Sequence, residues 1–358
     1  MSPSPLRVGI VGANAERGWS KDAHLKALAA LPDFELVAVS ARTQAIADEA
    51  AKAYGAKAAF GDSLAMVRDP GVDVVAVTVK VPEHRAVVLA ALAAGKHVYC
   101  EWPLGRDIAE AEEMTEAAAR SGAVAMIGLQ GLSAAAARRA HELVSSGALG
   151  ELLNMRVTSP TGGWGAETPA FYAYLQDKTT GATLASVQGG HTLATMEALA
   201  GAFTEVDARV STLRKTVRIS GTDETIARTS PDHIVVTGRH ASGCVSVLEL
   251  FGGARGIPFR LELVGTKGSL VISGDFPGGF QAGDMTLTAT VPFDPPTPVV
   301  AGLSGPPANV AEAYARLGGA IRAGGQVEPG FGAAVRLTRL LDVVQAASDE
   351  GRRQTPGA

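Results

Sequence analysis

A short turn near the start of the chain carries the first residues whose types and spacing suggest chemistry. Gly12, Asn14 and Gly18 follow the apolar run Leu6–Val11 and precede an amphipathic stretch over residues 22–31. The spacing G-x-G-x-x-G between a strand and a helix is typical of a dinucleotide site, because backbone N–H groups at a helix N-terminus bind the pyrophosphate. Asn14 takes the second position, which its tolerance of left-handed backbone allows, and the third glycine comes one residue late. The turn predicts nucleotide binding; the alternative is a structural glycine turn in an α/β domain without a nucleotide.

The end of the second predicted strand bears on which nucleotide would bind. NAD-binding domains usually carry Asp or Glu there to accept hydrogen bonds from the ribose, but residues 39–43 contain no acid. Arg42 can pair with a 2′-phosphate and Ser40 can hydrogen-bond to it. We therefore expect NADP, with NAD as the second choice. The alternative for Arg42 is a solvated residue that starts the next helix.

Strand-like and helix-like segments alternate through the first third of the chain. Residues 72–79 (VDVVAVTV) are continuously apolar, as in a parallel strand that is buried on both faces. The alternation predicts an α/β Rossmann domain with a doubly wound parallel sheet over residues 1–130. Beyond it, strand-like runs and a hairpin turn at Gly265–Gly268 predict an α+β domain over residues 131–358. Its sheet should be largely antiparallel, and helices should close the chain at about 309–349.

Composition limits the classes of partner and compartment. The 358 residues are 46% hydrophobic and carry a net charge of −4. The lack of a basic stripe argues against nucleic acid and membrane partners, and no apolar stretch reaches the roughly 18 residues of a membrane span. Cys100 and Cys244 are far apart and no secretion signal is recognisable, so we expect a cytoplasmic protein. The histidines and cysteines lack ligand spacing, so no metal site is predicted.

Several segments, taken in order, resemble one family. The stretch 93–104 (AAGKHVYCEWPL) is similar to the A-G-K-H-V-x-C-E-K-P-L motif of the glucose-fructose oxidoreductase / inositol dehydrogenase / rhizopine catabolism (Gfo/Idh/MocA) family, and residues 141–151, 264–270 and 330–352 also fit. Within that family the chain most resembles a subgroup that includes the NADP-binding repressor of the yeast galactose pathway. The segments that carry this similarity are 12–19, 101–102, 129–131, 162–164, 190–192 and 231–233.

The resemblance implies a Rossmann domain followed by an α/β domain that binds substrate and forms oligomers through its open sheet, so a homodimer or homotetramer is expected. Dehydrogenases of the family use a lysine from E-K-P, together with an aspartate and a histidine spaced D-x-x-x-H. His191 matches the histidine, but Trp102 stands in place of the lysine and Val187 in place of the aspartate. Trp has no titratable proton, so we expect altered or absent alcohol oxidation.

The candidate site residues fall into three groups. The catalytic candidates are His191 and Lys80; the cofactor-binding candidates are Gly12, Asn14, Gly18, Trp19, Ser40, Arg42, Val79, His84, Glu101 and Trp102; the substrate-binding candidates are His24, Trp164, Tyr172, Tyr174 and Lys178. Aromatic rings beside polar groups suit a sugar-like small molecule. The alternatives are a solvated loop lysine for Lys80, a helix-face histidine for His24 and a packed loop for the aromatic cluster.

Two functions remain open from the sequence. The first is an NADP-dependent oxidoreductase that acts on a sugar, polyol or related carbonyl compound. The second is a catalytically quiet NADP-binding sensor that acts through a protein partner, which the missing lysine and aspartate favour.

Overall fold

The computed structural model describes residues 4–275 and 277–357. They divide into two compact units: residues up to 129 together with 298–335, and residues 130–297 together with 336 onwards. No helix in the described part of the chain is long and apolar enough to cross a membrane.

The elements alternate first and become strand-rich later, as the sequence indicates. The strands are β1 (Leu6–Val11), β2 (Phe34–Ser40), β3 (Ala58–Phe60), β4 (Val74–Val77), β5 (His97–Glu101), β6 (Ala125–Gly128), β7 (Leu152–Thr161), β8 (Glu167–Thr168), β9 (Phe203–Ser211), β10 (Thr216–Ile219), β11 (Thr225–Ala227), β12 (His233–His240), β13 (Val245–Gly252), β14 (Phe259–Gly265), β15 (Ser269–Gly274) and β16 (Thr286–Ala289). The α-helices are α1 (Leu25–Ala29), α2 (Gln44–Tyr54), α3 (Ser63–Val67), α4 (Val81–Ala93), α5 (Ile108–Ser121), α6 (Gln130–Ser133), α7 (Ala135–Ser145), α8 (Gly190–Ala200), α9 (Gly305–Ala323) and α10 (Phe331–Glu350). Two π-helical turns, Ser20–His24 and Ala185–Gly189, lead directly into α1 and α8.

The first unit contains the predicted Rossmann sheet. Its strand order is β3-β2-β1-β4-β5-β6, and all pairs are parallel. Every residue of β4 is buried, which explains its continuous apolar run. The strand order reverses between β1 and β4, and open α/β sheets bind ligands at such a point, outside the carboxyl ends of the strands. The short strand β3 was not predicted, because three half-buried residues make no periodic pattern.

Helix α9 gives a different division from the predicted one. We expected every residue after 130 in the second domain, but residues 298–335 belong to the first unit. The reason is apolar packing: Val310, Tyr314 and Leu317 of α9 join Val8 and Ile10 of β1 in one buried cluster. Sequence order alone does not reveal such a return of the chain.

The second unit contains the predicted open sheet, in the order β16-β15-β14-β7-β13-β12-β9. Its pairs are antiparallel except for β7 with β13, which are parallel. The β14–β15 hairpin turns where predicted, and Gly265 N–H donates to Gly268 C=O. A small sheet, β11-β10-β8, completes the unit. The predicted fold class is therefore confirmed.

Candidate functional site

The glycine turn that follows β1 requires its first glycine for steric reasons. Gly12 has φ 93°, and a Cβ there would lie 2.9 Å from Val79 Cγ1 and 3.2 Å from the Thr78 main chain. Gly12 and Ala13 N–H groups both donate to the Ser40 carbonyl, at 3.0 and 2.9 Å. The turn therefore lies close against the ends of the neighbouring strands β2 and β4. This close approach leaves main chain rather than a side chain facing the ligand edge of the sheet.

Asn14 supports the turn in a different way from the one we expected. Among the described residues only Trp164 is a non-glycine with positive φ, so Asn14 does not use left-handed backbone. Its Oδ1 instead accepts hydrogen bonds from Glu16 N at 2.8 Å and Arg17 N at 3.1 Å, which is the turn that Asn side chains commonly stabilise. Gly18 has φ 97°, and a Cβ added to it would meet no heavy atom within 4 Å, so the end of the turn is open.

The π-helical turn Ser20–His24 corrects the substrate role that we expected for His24. The His24 side chain is fully buried, with Nδ1 at 2.8 Å from Tyr314 Oη and Nε2 at 2.7 Å from Glu101 Oε1. Both ring nitrogens therefore have partners inside the first unit and none remains for a substrate. Beside it, the indole Nε1 of Trp19 is buried without a hydrogen-bond partner in the described residues.

Ser40 and Arg42 differ sharply in exposure. Ser40 is fully buried and its hydroxyl donates to Ser63 Oγ at 3.0 Å, which corrects the phosphate contact that we expected. Its contribution to the site is the carbonyl that holds Gly12 and Ala13. Arg42 is exposed at the end of β2, just before Thr43, which caps α2. Within the described ranges its guanidinium forms no ion pair, so its charge is available at the rim of the sheet.

The β4 and β5 ends meet at a buried histidine. His84 Nε2 lies 2.9 Å from the Val79 carbonyl, and its Nδ1 lies 3.0 Å from the Pro103 carbonyl. Burial lowers the pKa of His84, and these main-chain acceptors partly oppose the shift. His84 therefore lies between two loops and contacts the main chain of both, and its contribution to cofactor binding stays a prediction.

Three further candidates lie at the same edge of the sheet. Lys80 is exposed at the start of α4, and its side chain makes no capping hydrogen bond there. Trp102 is buried and precedes Pro103 in a cis peptide bond. Glu101 ends β5 with its carboxylate 13% exposed.

In the second unit, His191 lies in the first turn of α8 and is 4% exposed. Its Nδ1 is buried without a hydrogen-bond partner among residues 4–275 and 277–357. Burial lowers the pKa of His191 to about 3. The imidazole is therefore neutral near pH 7, and it has one ring nitrogen whose hydrogen-bonding capacity the surrounding protein does not use.

A buried polar chain that the sequence did not indicate runs beside His191. Gln188 Nε2 donates to Ser159 Oγ at 3.0 Å, and Ser159 Oγ lies 2.9 Å from Thr192 Oγ1. Thr192 in turn donates to the Gln188 carbonyl at 2.9 Å. The available signal was polar side chains in an otherwise apolar helix. Val187, which replaces the expected aspartate, lies in the π-helical turn that precedes α8.

The aromatic segment after Gly163 divides into a buried and an exposed part. Trp164 is 7% exposed and its Nε1 donates to the Leu175 carbonyl at 3.0 Å, so it packs within the unit and does not present a face to a sugar. This corrects its expected role. Tyr172 and Lys178 are exposed and Tyr174 is half-buried.

A buried ion pair that we did not assign holds this segment in place. Arg228 is fully buried, and it contacts Asp232 Oδ2 at 3.3 Å, Gln176 Oε1 at 2.8 Å and the Trp164 carbonyl at 3.0 Å. Asp232 also accepts from the main-chain N–H groups of Leu213 and Arg214. The sequence offered only the Pro-Asp-His segment as a signal, and it gave no hint of the arginine partner.

A parallel sheet with a close-packed glycine turn at its switch point, together with a mixed-sheet unit, defines the class of two-domain proteins with an NAD(P)-binding Rossmann domain. The model described as "Oxidoreductase family, NAD-binding Rossmann fold" matches residues 6–129, and the model for the Gal80p C-terminal domain matches residues 136–274.

Relatives extend over most of the chain. The galactose/lactose metabolism regulatory protein GAL80 of Kluyveromyces lactis is 31% identical over 76% of this chain, which spans 65% of that relative's length. The dehydrogenase aclE of Aspergillus oryzae is 32% identical over 75% of this chain and 77% of its own. Levoglucosan dehydrogenase in complex with NADH and levoglucosan has the same fold, with a TM-score of 0.84 at 22% identity over 99% of this chain and 100% of that chain. The chain belongs to the Gfo/Idh/MocA family, which confirms the resemblance.

Proposed function

We propose that the protein is an NADP(H)-dependent oxidoreductase that acts on a sugar, polyol or related carbonyl compound. The observation that carries the proposal is Gly12, where a Cβ would lie 2.9 Å from Val79 Cγ1 and 3.2 Å from the Thr78 main chain, so that glycine is needed for the turn to pack this closely at the end of β4. A tight glycine turn at the switch point of the sheet is where dinucleotide-binding domains of this fold bind a pyrophosphate. The turn from Gly12 through Asn14 to Gly18 would lie against the pyrophosphate, and Val79, Glu101 and Trp102 would lie along the nicotinamide half.

Arg42 supports NADP in preference to NAD. Its exposed guanidinium at the end of β2 would pair with a 2′-phosphate, and no acidic side chain in residues 39–43 repels that group. Arg42→Ala should weaken NADPH binding about tenfold or more, the value of a charge-assisted hydrogen bond, and leave NADH binding unchanged. Calorimetric titration of both nucleotides measures this, with the exposed Arg120→Ala as control. Equal affinities of the wild type and Arg42→Ala for NADPH would exclude Arg42 as the phosphate ligand.

The catalytic set would differ from that of an ordinary family dehydrogenase. When bound, the nicotinamide supplies or accepts the hydride. The low pKa keeps His191 neutral near pH 7, so it would not act as the general acid. It would instead form a hydrogen bond with the reacting oxygen of the substrate. Lys80, on the exposed loop after β4, would exchange the proton. Tyr172, Tyr174 and Lys178 would contact the sugar-like substrate.

Two observations on relatives support the substrate class. Levoglucosan dehydrogenase, which shares the fold, binds a sugar derivative beside NADH, and the relative aclE is a dehydrogenase. Purified protein should therefore change the absorbance of NADPH or NADP with a member of a carbonyl and polyol panel. His191→Asn should lower kcat at least about a hundredfold, and the partly exposed His233→Asn should not.

A second candidate function is an NADP-binding regulator that captures a protein partner. The similarity to GAL80 and the replacement of the catalytic lysine by buried Trp102 favour it. It predicts nucleotide binding without turnover, together with a partner that co-purifies only when NADP(H) is present. If the wild type turns over any substrate of the panel and His191→Asn does not, the protein is an enzyme and the regulator hypothesis is excluded.

A further inference from the structure

We propose that His24 and Tyr314 are positioning residues that hold the Glu101 carboxylate for the nicotinamide half of the cofactor. This inference rests on the proposed function, because it assumes that the first unit binds a pyridine nucleotide. It assigns a role to a buried polar chain that begins in α9, far along the sequence, and ends at the ligand edge of β5.

The three side chains form one continuous line of hydrogen bonds. Tyr314 Oη lies 2.8 Å from His24 Nδ1, and His24 Nε2 lies 2.7 Å from Glu101 Oε1. Tyr314 and His24 are fully buried, and Glu101 is the one member with exposed surface, at 13%. The hydrogen-bonded line therefore runs from two buried side chains in the core to a carboxylate that is partly exposed.

Elementary hydrogen-bond accounting sets the direction of the chain. A carboxylate only accepts, so a hydrogen of His24 lies on Nε2 and points at Glu101, while Nδ1 lies against the Tyr314 hydroxyl. Burial, and next the charge of Glu101, raise the pKa of Tyr314, so its phenol stays protonated. Edge-on ring contacts of His24 with Tyr99 and Tyr314, at centroid distances of 5.0 and 5.6 Å, fix the imidazole plane.

The same short segment ties the carboxylate to the glycine turn. Ser20 and His24 lie at the two ends of the π-helical turn, and Ser20 Oγ donates to the Gly12 carbonyl at 3.1 Å. One rigid turn thus connects the pyrophosphate end of the site with Glu101. Extra residues in π-helical turns are frequent at functional sites, because they re-aim side chains.

The strand order indicates which half of the cofactor Glu101 would meet. In a sheet of this order a dinucleotide lies across the switch point, with one mononucleotide over each half of the sheet. Arg42 and β2 lie on the adenosine side, so β4 and β5 lie on the nicotinamide side. A carboxylate at the end of β5 can accept hydrogen bonds from the ribose hydroxyls or the carboxamide of that half.

The test compares a complete dinucleotide with its adenosine half. We would measure the dissociation constants of NADPH and of 2′-phospho-ADP, and of the unphosphorylated pair NADH and ADP, by calorimetry on the full chain. Glu101→Gln should weaken the dinucleotide about tenfold and leave the affinity of the ADP ligand within twofold. Tyr314→Phe should give the same selective loss, about three- to tenfold.

A double-mutant cycle establishes that Tyr314 acts through Glu101. In the Glu101→Gln background, Tyr314→Phe should add less than a twofold effect, because the interaction that it supports is already gone. His24→Gln keeps an N–H donor for the carboxylate and should retain more dinucleotide affinity than His24→Leu. Additive losses in the cycle would overturn the proposal.

Phe34→Leu is the packing control. Phe34 contacts the Tyr314 ring at a centroid distance of 5.3 Å without joining the hydrogen-bond chain, so its variant should lower the melting temperature and leave the affinity ratio unchanged. Phe34→Leu could change the ratio of the two affinities as Tyr314→Phe does, or Tyr314→Phe could weaken both ligands equally. Either result would show that the hydrogen bonds of Tyr314, His24 and Glu101 only stabilise the fold. If the wild type bound none of the four ligands, the proposed function would fail and take this inference with it.

Discussion

At His191, burial alone shifts the protonation equilibrium, whereas at His84 main-chain carbonyls oppose the effect of burial. The difference matters for chemistry. His84 has acceptors at both ring nitrogens and holds two loops, while the buried Nδ1 of His191 has no partner in the described part of the chain. A neutral imidazole of this kind donates or accepts a hydrogen bond without becoming protonated.

The low pKa of His191 predicts a specific pH dependence of stability. The pKa falls from 6.5 to about 3 on folding, so the unfolded state binds the proton first as the pH drops. The contribution of His191 to stability is complete above pH 6.5 and is lost progressively between pH 6.5 and 3. The free energy of unfolding should fall by up to about 1.4 kcal/mol per pH unit from this group. Urea unfolding between pH 7 and 5 measures the slope.

The comparison variant is His191→Asn, which should show a shallower decrease than the wild type over this range. His233→Asn, at a partly exposed histidine that contacts Glu249, is the matched control and should leave the slope as it is. Parallel curves for the wild type and His191→Asn would show that His191 titrates normally in the folded protein.

At the scale of elements, the glycine turn and the π-helical turn that follows it act as one unit. Gly12 is restricted by neighbouring main chain, whereas Gly18 has a similar φ in open space. The two positions therefore separate the effect of steric contact from that of backbone conformation.

Alanine at each glycine tests this separation. Gly18→Ala should cost about 1 kcal/mol from its backbone conformation alone. Gly12→Ala should cost about 1–3 kcal/mol more, because its methyl group overpacks against Thr78 and Val79. Chemical unfolding of both variants gives the difference. Equal losses would mean that the close approach of β4 imposes no restriction.

The Arg228–Asp232 pair is an element-scale anchor for the segment that carries Tyr172 and Lys178. Arg228→Met removes one of the two arginine partners of buried Asp232, which keeps Arg214 at 3.3 Å, and also the donors to Gln176 and the Trp164 carbonyl, so it should cost about 3 kcal/mol. Arg218→Met removes an exposed pair with Glu167 and should cost less than about 1 kcal/mol. Urea unfolding measures both, and limited proteolysis should cleave near residues 170–180 faster in Arg228→Met only. A small loss in that variant would show that other contacts hold the segment.

At the scale of the whole molecule, the first unit is discontinuous in sequence. Tyr314 and Leu317 of α9 share a core with β1, although about 300 residues separate them along the chain. A fragment of residues 1–129 should therefore lack cooperative unfolding, since its core is exposed. Fusing residues 298–335 to that fragment through a flexible linker should restore a cooperative thermal transition, followed by circular dichroism. Cooperative unfolding of residues 1–129 alone would contradict the shared core.

Much of the fold and part of the site follow from local patterns. The buried strand β4, the β14–β15 hairpin and the glycine turn are visible as periodicity and turn residues. Trp102 in place of the expected lysine and Val187 in place of the expected aspartate are visible when the sequence is compared with the motifs of the family. Each of these features depends on residues within one short segment.

Tertiary structure alone decided which polar groups are exposed. His24, Ser40 and Trp164 looked like ligand contacts in sequence, yet each is buried and hydrogen-bonded within its own unit. Their partners Glu101, Ser63 and Leu175 lie 11 to 77 residues away. Local periodicity reports which face of an element is apolar, but the cost of burying a polar atom is offset only by a partner that folding brings to it. The sequence by itself therefore determined the class of fold and predicted an altered catalytic set, and three-dimensional packing decided which of the polar side chains are buried and which partners they have.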